Sequence, residues 1–192
     1  AAVHLARALE EVDWAELRAM DSAELRIDTP SGPIGIFGTG DDAHPQERWL
    51  LLVDLGGRDL HLHSAGGTGP DHPVSVVVDV EGDDVYAYPE WTDASGARMP
   101  PDDAGRDGIP PHIVDASASD FGRQGAAFGG IAIAFDLSGD DIYRSLRGSQ
   151  GYAHHGVGVL YDASGDDDYR AETASQGAGQ YGIGILIDAD GR

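Results

Sequence analysis

The chain contains no cysteine, which excludes disulfides, thiolate metal sites and thiol catalysis. Lysine is absent too: all 12 basic residues are arginine, set against 34 acids, for a formal net charge of −22. A field of that sign argues against nucleic acid and anionic membrane as partners, because both need a basic footprint. No apolar run approaches the roughly 18 residues that membrane insertion as a helix requires. The chain also opens without a basic, apolar leader. It starts in a helix-like segment and stops inside a repeat, which reads as a piece of something longer. What is present in quantity is glycine, 28 residues, and aspartate, 26 of the 34 acids. That pair predicts many tight turns joined by short strands. A hydrophobic content of 41% is enough for a core and argues against disorder.

Internal periodicity dominates the second half. Ile133–Tyr143 (IAFDLSGDDIY), Val159–Tyr169 (VLYDASGDDDY) and Ile185–Gly191 (ILIDADG) align, with Asp136, Asp162 and Asp188 spaced 26 apart. The first two units share 12 of 26 positions, including Ser149-Gln150-Gly151 against Ser175-Gln176-Gly177. An earlier copy runs from Val76 to Tyr86, and a degenerate one from Leu52 to His61; Ile36–Asp42 is a shortened first echo. Asp79 lies 57 residues before Asp136, one unit plus 31, and the Tyr86-to-Gln124 interval exceeds its later counterpart by the same 31. Both measurements place a 31-residue insertion at about 89–119. Glycine and aspartate are poor helix formers, and each unit opens with an apolar run of strand length. The expected fold is therefore all-β: a parallel β-solenoid of about 26-residue coils over residues 36–192, stacked roughly 4.8 Å apart.

Along each strand one column is large and often β-branched, as in Val74, Val76 and Val78, or Ile131, Ile133 and Phe135. This column is expected to fill the interior. The alternate column, with Leu52, Val77, Ala134, Leu160 and Leu186, is also apolar, so the outer face needs a cover. Residues 1–35 read as an N-terminal cap: an amphipathic helix over 3–20 carrying Leu5, Leu9, Val12 and Leu17 or Met20, then two short strands around Pro30-Ser-Gly-Pro33. The cap is expected to hide the open edge of the first coil. A protein partner or a second copy is expected on the apolar outer face or the uncapped C-terminal coil. In the insertion, Pro89, Pro100, Pro101, Pro110 and Pro111 read as a stiffened loop over the outer face.

The motif Asp-x-x-Gly-Asp-Asp-x-Tyr carries the chemistry. Stacked coils place Asp79, Asp136, Asp162 and Asp188 in one file. Asp83, Asp140 and Asp166 form a second file, and Asp84, Asp141 and Asp167 a third. Carboxylates one strand spacing apart repel by about 1 kcal/mol in water and several times that when partly buried. A hard divalent cation, Ca²⁺, relieves this, so Asp79, Asp83, Asp84, Asp136, Asp140, Asp141, Asp162, Asp166 and Asp167 are the candidate ligands. Three alternatives stand beside it: the acids cap turns by accepting backbone N–H groups, they pair with a guanidinium file at Arg144 and Arg170, or they are simply solvated. Tyr86, Tyr143 and Tyr169 are expected to stack as a packing ladder, and the Ser-Gln-Gly corners to form amide ladders along the axis. His61, His63, His154 and His155 have no repeated carboxylate partner at fixed spacing and are not expected to bind metal.

The Gly-Asp-Asp-x-Tyr unit with its Gln-Gly corner resembles a repeat of large uncharacterised bacterial proteins, exported from the cell. It is also loosely similar to the calcium-binding β-roll repeats of secreted RTX proteins. That second resemblance implies Ca²⁺ at the turns, carried here by Asp140, Asp141, Asp166 and Asp167, and an extracellular or cell-surface location. The units differ in length from the β-roll nonapeptide and lack its Gly-Gly-x-Gly-x-Asp turn. The resulting expectation is a non-catalytic, calcium-stabilised structural or interaction module. An enzyme acting on polysaccharide would need Trp91, Asp93, Asp102, Asp103 and His112 of the insertion. An acidic DNA mimic would need carboxylates spaced like phosphates.

Overall fold

A computed structural model of the chain describes residues 11–19, 24–44, 48–62, 64–87, 91–92, 98–99, 118–145, 147–171 and 173–191. The fold is all-β with parallel sheets. The larger sheet has eight strands: Leu25–Ile27, Ile34–Phe37, Leu51–Asp54, Val74–Asp79, Ala127–Asp136, Ala153–Asp162, and the last pair Gly179–Gln180 and Ile183–Asp188. A smaller parallel sheet stacks Ala43–His44, Leu60–His61, Val85–Tyr86, Ile142–Arg144 and Asp168–Arg170. A third ladder pairs Ala118–Arg123 with Arg147–Ser149.

Register follows the sequence alignment residue for residue. Asp54, Asp79, Asp136, Asp162 and Asp188 are successive partners in the large sheet. Tyr86, Tyr143 and Tyr169 are partners in the small one. The ladder crosses the insertion without slipping, because Asp79 pairs with Asp136 and Tyr86 with Tyr143. Inside the insertion a two-residue antiparallel pair joins Trp91–Thr92 to Arg98–Met99; Pro89, Asp93, Pro100, Pro101, Asp102, Asp103, Pro110, Pro111 and His112 lie outside the described residues.

The two apolar columns are exchanged relative to expectation. Ala134 and Leu160, 3% and 1% exposed, face the small sheet and pack against Tyr86 and Tyr143, with Leu186 and Tyr169 beside them. The bulky column faces the other way, where Val53, Val76, Val78 and Ile133 form a separate cluster. The reason is volume: the space between the sheets already holds stacked tyrosine rings and aspartate carboxyls. The large-sheet residues opposite must therefore be smaller, as at Ala127, Ala132 and Ala153, all 0% exposed.

The outer face takes its cover from the short helix Trp14–Ala19, whose Trp14 and Leu17 pack on that bulky cluster. Asp13 caps the helix by accepting the Glu16 N–H at 3.0 Å, and Arg18 pairs with Glu81 across to the sheet. The helix thus lies on the face and not over the edge of the first coil. That edge is closed by Leu25–Ile27, which runs antiparallel to Ile34–Phe37. Of the expected helix positions, Leu5, Leu9 and Met20 lie outside the described residues.

Two corners turn each unit. At the first, Gln124, Gln150 and Gln176 sit at φ 51–52°, each followed by a left-handed glycine such as Gly151 at φ 72°. Ala65-Gly66 is the earlier copy, also left-handed, and the Gln124 and Gly125 N–H groups donate to Ser64 and Ala65. The glutamines do not pair with one another along the axis. The Gln124 Nε2 donates to the carbonyls of Tyr86 and Arg144, both at 3.0 Å, and Gln150 repeats this with Tyr143 and Arg170. Each amide therefore ties two successive strands of the small sheet together.

Candidate metal centre

At the second corner, Gly-Asp-Asp, the three aspartate files meet three different fates. Those of Asp83, Asp140 and Asp166 are exposed, and Asp83 and Asp140 act as turn acceptors. The Asp140 N–H donates to Asp83 Oδ1 at 3.1 Å, and the Asp166 N–H to Asp140 Oδ1 at 2.9 Å. Here the backbone-capping alternative describes the geometry, and these three residues stand apart from the acid groupings that can hold an ion.

The third file, buried at Asp84 and Asp141 and half-buried at Asp167, does the same work on one oxygen only. Amides of Asp42, Asp59, Asp84 and Asp141 donate to Oδ1 of Asp59, Asp84, Asp141 and Asp167 at 2.6–2.8 Å. The other oxygen, Oδ2, of Asp59, Asp84, Asp141 and Asp167 is buried and reached by no N–H or hydroxyl; Asp84 and Asp141 face the carboxyls of Asp79 and Asp136 instead. The first file is similarly divided. Asp136 Oδ2 accepts the Tyr86 hydroxyl at 2.7 Å, while Asp162 Oδ2 accepts those of Tyr143 and Tyr169 at 2.8 and 3.1 Å. Oδ1 of Asp79, Asp136 and Asp162 has no partner.

The buried files meet in triads whose donor atoms lie within 4.8 Å of one another. Asp84, Asp136 and Asp141 form one; Asp141, Asp162 and Asp167 form the next and share Asp141. Six of the nine candidate ligands are thus brought together: Asp79, Asp84, Asp136, Asp141, Asp162 and Asp167. Two further groups, His61-Asp79-Asp84 and Asp42-Asp54-Asp59, include residues not anticipated as ligands. Their signal was in the sequence: His61 follows Asp54 by seven positions, the same interval that separates Tyr86 from Asp79 and Tyr143 from Asp136. His44 and His61 indeed continue the tyrosine stack, with ring centroids 4.5–4.8 Å apart from His44 through Tyr169.

Burial dominates the electrostatics. It pushes the Asp141 carboxyl up to about 10, with the Asp136 charge adding to the effect. Burial likewise raises Asp136 and Asp59 to about 7 and Asp167 to about 6, and drives Asp79 well above the carboxylate range. The expected guanidinium file does not relieve this. Arg170 turns to Asp168 on its own strand at 2.9 Å, and the Arg144 Nε is buried without a partner. Without a cation, Asp141 keeps its proton through neutral pH, while Asp136 and Asp59 give theirs up near pH 7.

Tyr86 supplies the one hydroxyl on Asp136 Oδ2. Tyr86→Phe leaves that oxygen without a donor in a dry site, a loss of about 1–3 kcal/mol. A fall in melting temperature of roughly 3–10 °C is expected for a chain of this length. Scanning calorimetry of wild type and variant checks it; unchanged melting would show that the bond contributes nothing.

Comparison with known proteins finds no match to this chain among family models, curated proteins or solved structures. The functional argument therefore rests on the site itself.

Proposed function

We propose that the chain is a non-catalytic structural or interaction module, a parallel β-solenoid whose buried carboxylate triads are neutralised by Ca²⁺. The observation that supports this reading is the recurrence, unit after unit, of buried carboxylate oxygens that no N–H or hydroxyl reaches and that face only one another. Calcium takes about 6–8 oxygen ligands and accepts carboxylates from irregular loops. The two linked triads hold five carboxylates, Asp84, Asp136, Asp141, Asp162 and Asp167, so two Ca²⁺ ions bridged by Asp141 leave a residual charge near −1. Repetition itself argues for a scaffold, since an active site is singular and these acids recur. An extracellular setting supplies the millimolar calcium that modules of this kind use. A partner or a second copy is proposed for the bulky outer face, where Ile183 is 60% and Ile187 44% exposed beyond the helix-covered region.

Asp141→Asn tests the bridge. The amide keeps an oxygen for the Asp84 N–H but carries no charge. The expected result has two parts: the calcium-dependent gain in melting temperature drops by at least half, and the metal-free variant at pH 8 is more stable than metal-free wild type. The second gain is on the order of 1–3 kcal/mol, because no proton has to be held against bulk pH. A variant that keeps the full calcium response would overturn the assignment.

A further inference from the structure

The bulky outer face is only partly covered. Beneath Trp14 and Leu17, Val76, Val78 and Ile133 are 5%, 1% and 6% exposed. Away from the helix, Phe135, Val157 and Tyr161 are half-buried, and Val74, Ile183 and Ile187 are 40%, 60% and 44% exposed. Register joins these into one surface: Val74, Ile131, Val157 and Ile183 are successive partners, as are Val78, Phe135, Tyr161 and Ile187. Every outward position from Ile131 to Phe135, Val157 to Tyr161 and Ile183 to Ile187 is apolar or aromatic. A contiguous patch of this kind marks an interaction surface.

The chain itself shows how a helix engages this face. Trp14 and Leu17 pack on the apolar cluster, and Arg18 pairs with Glu81 on the turn that borders it. The same turn carries exposed acids in successive units, Asp83, Asp140 and Asp166. Their file runs along the uncovered strands, because the Asp140 N–H donates to Asp83 and the Asp166 N–H to Asp140. At the strand ends that lead into it, Phe135 and Tyr161 meet edge to face at 5.6 Å, and an aromatic ring face attracts a cation. We infer that the uncovered half of the outer face receives an amphipathic helix of a protein partner, apolar along one stripe and basic along its flank. The inference rests on the reading of the chain as an interaction module and gives the partner a chemistry. About three helical turns, roughly 16 Å, span three strands at about 4.8 Å each. A second copy fits less well, since each copy carries −22 and would set acidic borders against each other.

The test is fluorescence anisotropy of a labelled synthetic peptide of about 16 residues, titrated with the full chain in calcium. The peptide carries Trp, Leu and Arg at the spacing of Trp14, Leu17 and Arg18 in each heptad; a control peptide replaces every Arg by Glu. The expected result is a dissociation constant on the order of micromolar for the basic peptide and at least about tenfold weaker for the control, the difference shrinking as salt rises. Ile183→Arg, at an exposed position, is expected to keep the calcium-dependent melting shift and to weaken the basic peptide at least about tenfold. Should that variant fail to fold, the charge-swapped peptide on wild type decides alone. Equal binding of both peptides, or a folded Ile183→Arg variant that binds like wild type, overturns the inference while leaving an interaction module. A concentration-dependent dimer that excludes the peptide, seen by sedimentation, gives the face to a second copy and also overturns it. A chain that binds neither peptide and stays monomeric overturns the interaction reading as well.

Discussion

Between about pH 5 and about pH 8.5, metal-free protein is expected to lose melting temperature while calcium-saturated protein holds or gains it. Carboxyls whose folded pKa exceeds the unfolded value near 3.9 stabilise the fold only while protonated. That contribution is complete below about pH 4 and is lost as pH rises through about 6 for Asp167, about 7 for Asp59 and Asp136, and about 10 for Asp141. Calcium needs Asp136, Asp141 and Asp167 ionised, so its affinity climbs over that window and offsets the loss. At 100-fold excess over the dissociation constant, each ion adds about 2.7 kcal/mol. Two ions therefore give a gap of roughly 10–20 °C between chelated and loaded protein at the alkaline end. Calorimetry across pH, with and without chelator at matched ionic strength, measures it. Parallel curves with no gap would leave the buried acids as a proton-held core and remove calcium from the account.

The second large effect is expected from Gly139→Ala. Gly57, Gly82, Gly139, Gly165 and Gly191 form a column in which a Cβ on each would collide with a backbone carbonyl of the preceding turn: Gly40, Gly57, Gly82, Gly139 and Gly165 in order. At Gly139 the backbone also sits at φ 149°, a conformation that alanine avoids. Relief requires the two turns to move apart. That would break the Gly82 N–H to Ser138 and Gly139 N–H to Ser164 bonds, at 2.9 and 3.1 Å, and disturb the aspartate files beside them. The expected loss exceeds about 4 kcal/mol, enough to prevent soluble expression or lower melting by more than about 10 °C. Gly40→Ala is the matched control: nothing lies within 4 Å of its would-be Cβ, and its melting should stay near that of wild type. Similar melting of the two variants would mean the turns do not approach as closely as described.

Register was legible in the sequence because it is written as identity at fixed intervals: Asp136, Asp162 and Asp188, or Tyr143 and Tyr169, need no physics to align. Facing was not legible from bulk. Both columns of each strand are apolar, and size alone assigned Ile131 and Ile133 inward. The deciding signal was parity with the motif acid, since Ala132 and Ala134 share the face of Asp136 and the tyrosine hydroxyl holds that acid inside. His61 shows no repeated carboxylate partner at fixed spacing as a histidine, although its interval from Asp54 is that of Tyr86 from Asp79. The fate of Arg144 and Arg170 depended on where the strand points them, which composition does not encode. Likewise, three stacked acid files look alike in sequence. Only the depth of each below the turn separates Asp140, which caps a backbone amide in the open, from Asp141, which is buried with a bare oxygen.

The insertion after Tyr86 leaves the stacked ladders unbroken. Thirty-one extra residues enter between Tyr86 and Gln124, yet the strands on either side pair as if adjacent and Gln124 still clamps the Tyr86 carbonyl. Mechanical continuity along the stack and the content of that excursion are thus decoupled. A peptide exchanged for it is expected to leave the columns of tyrosine and aspartate intact, because none of their pairings passes through the excursion.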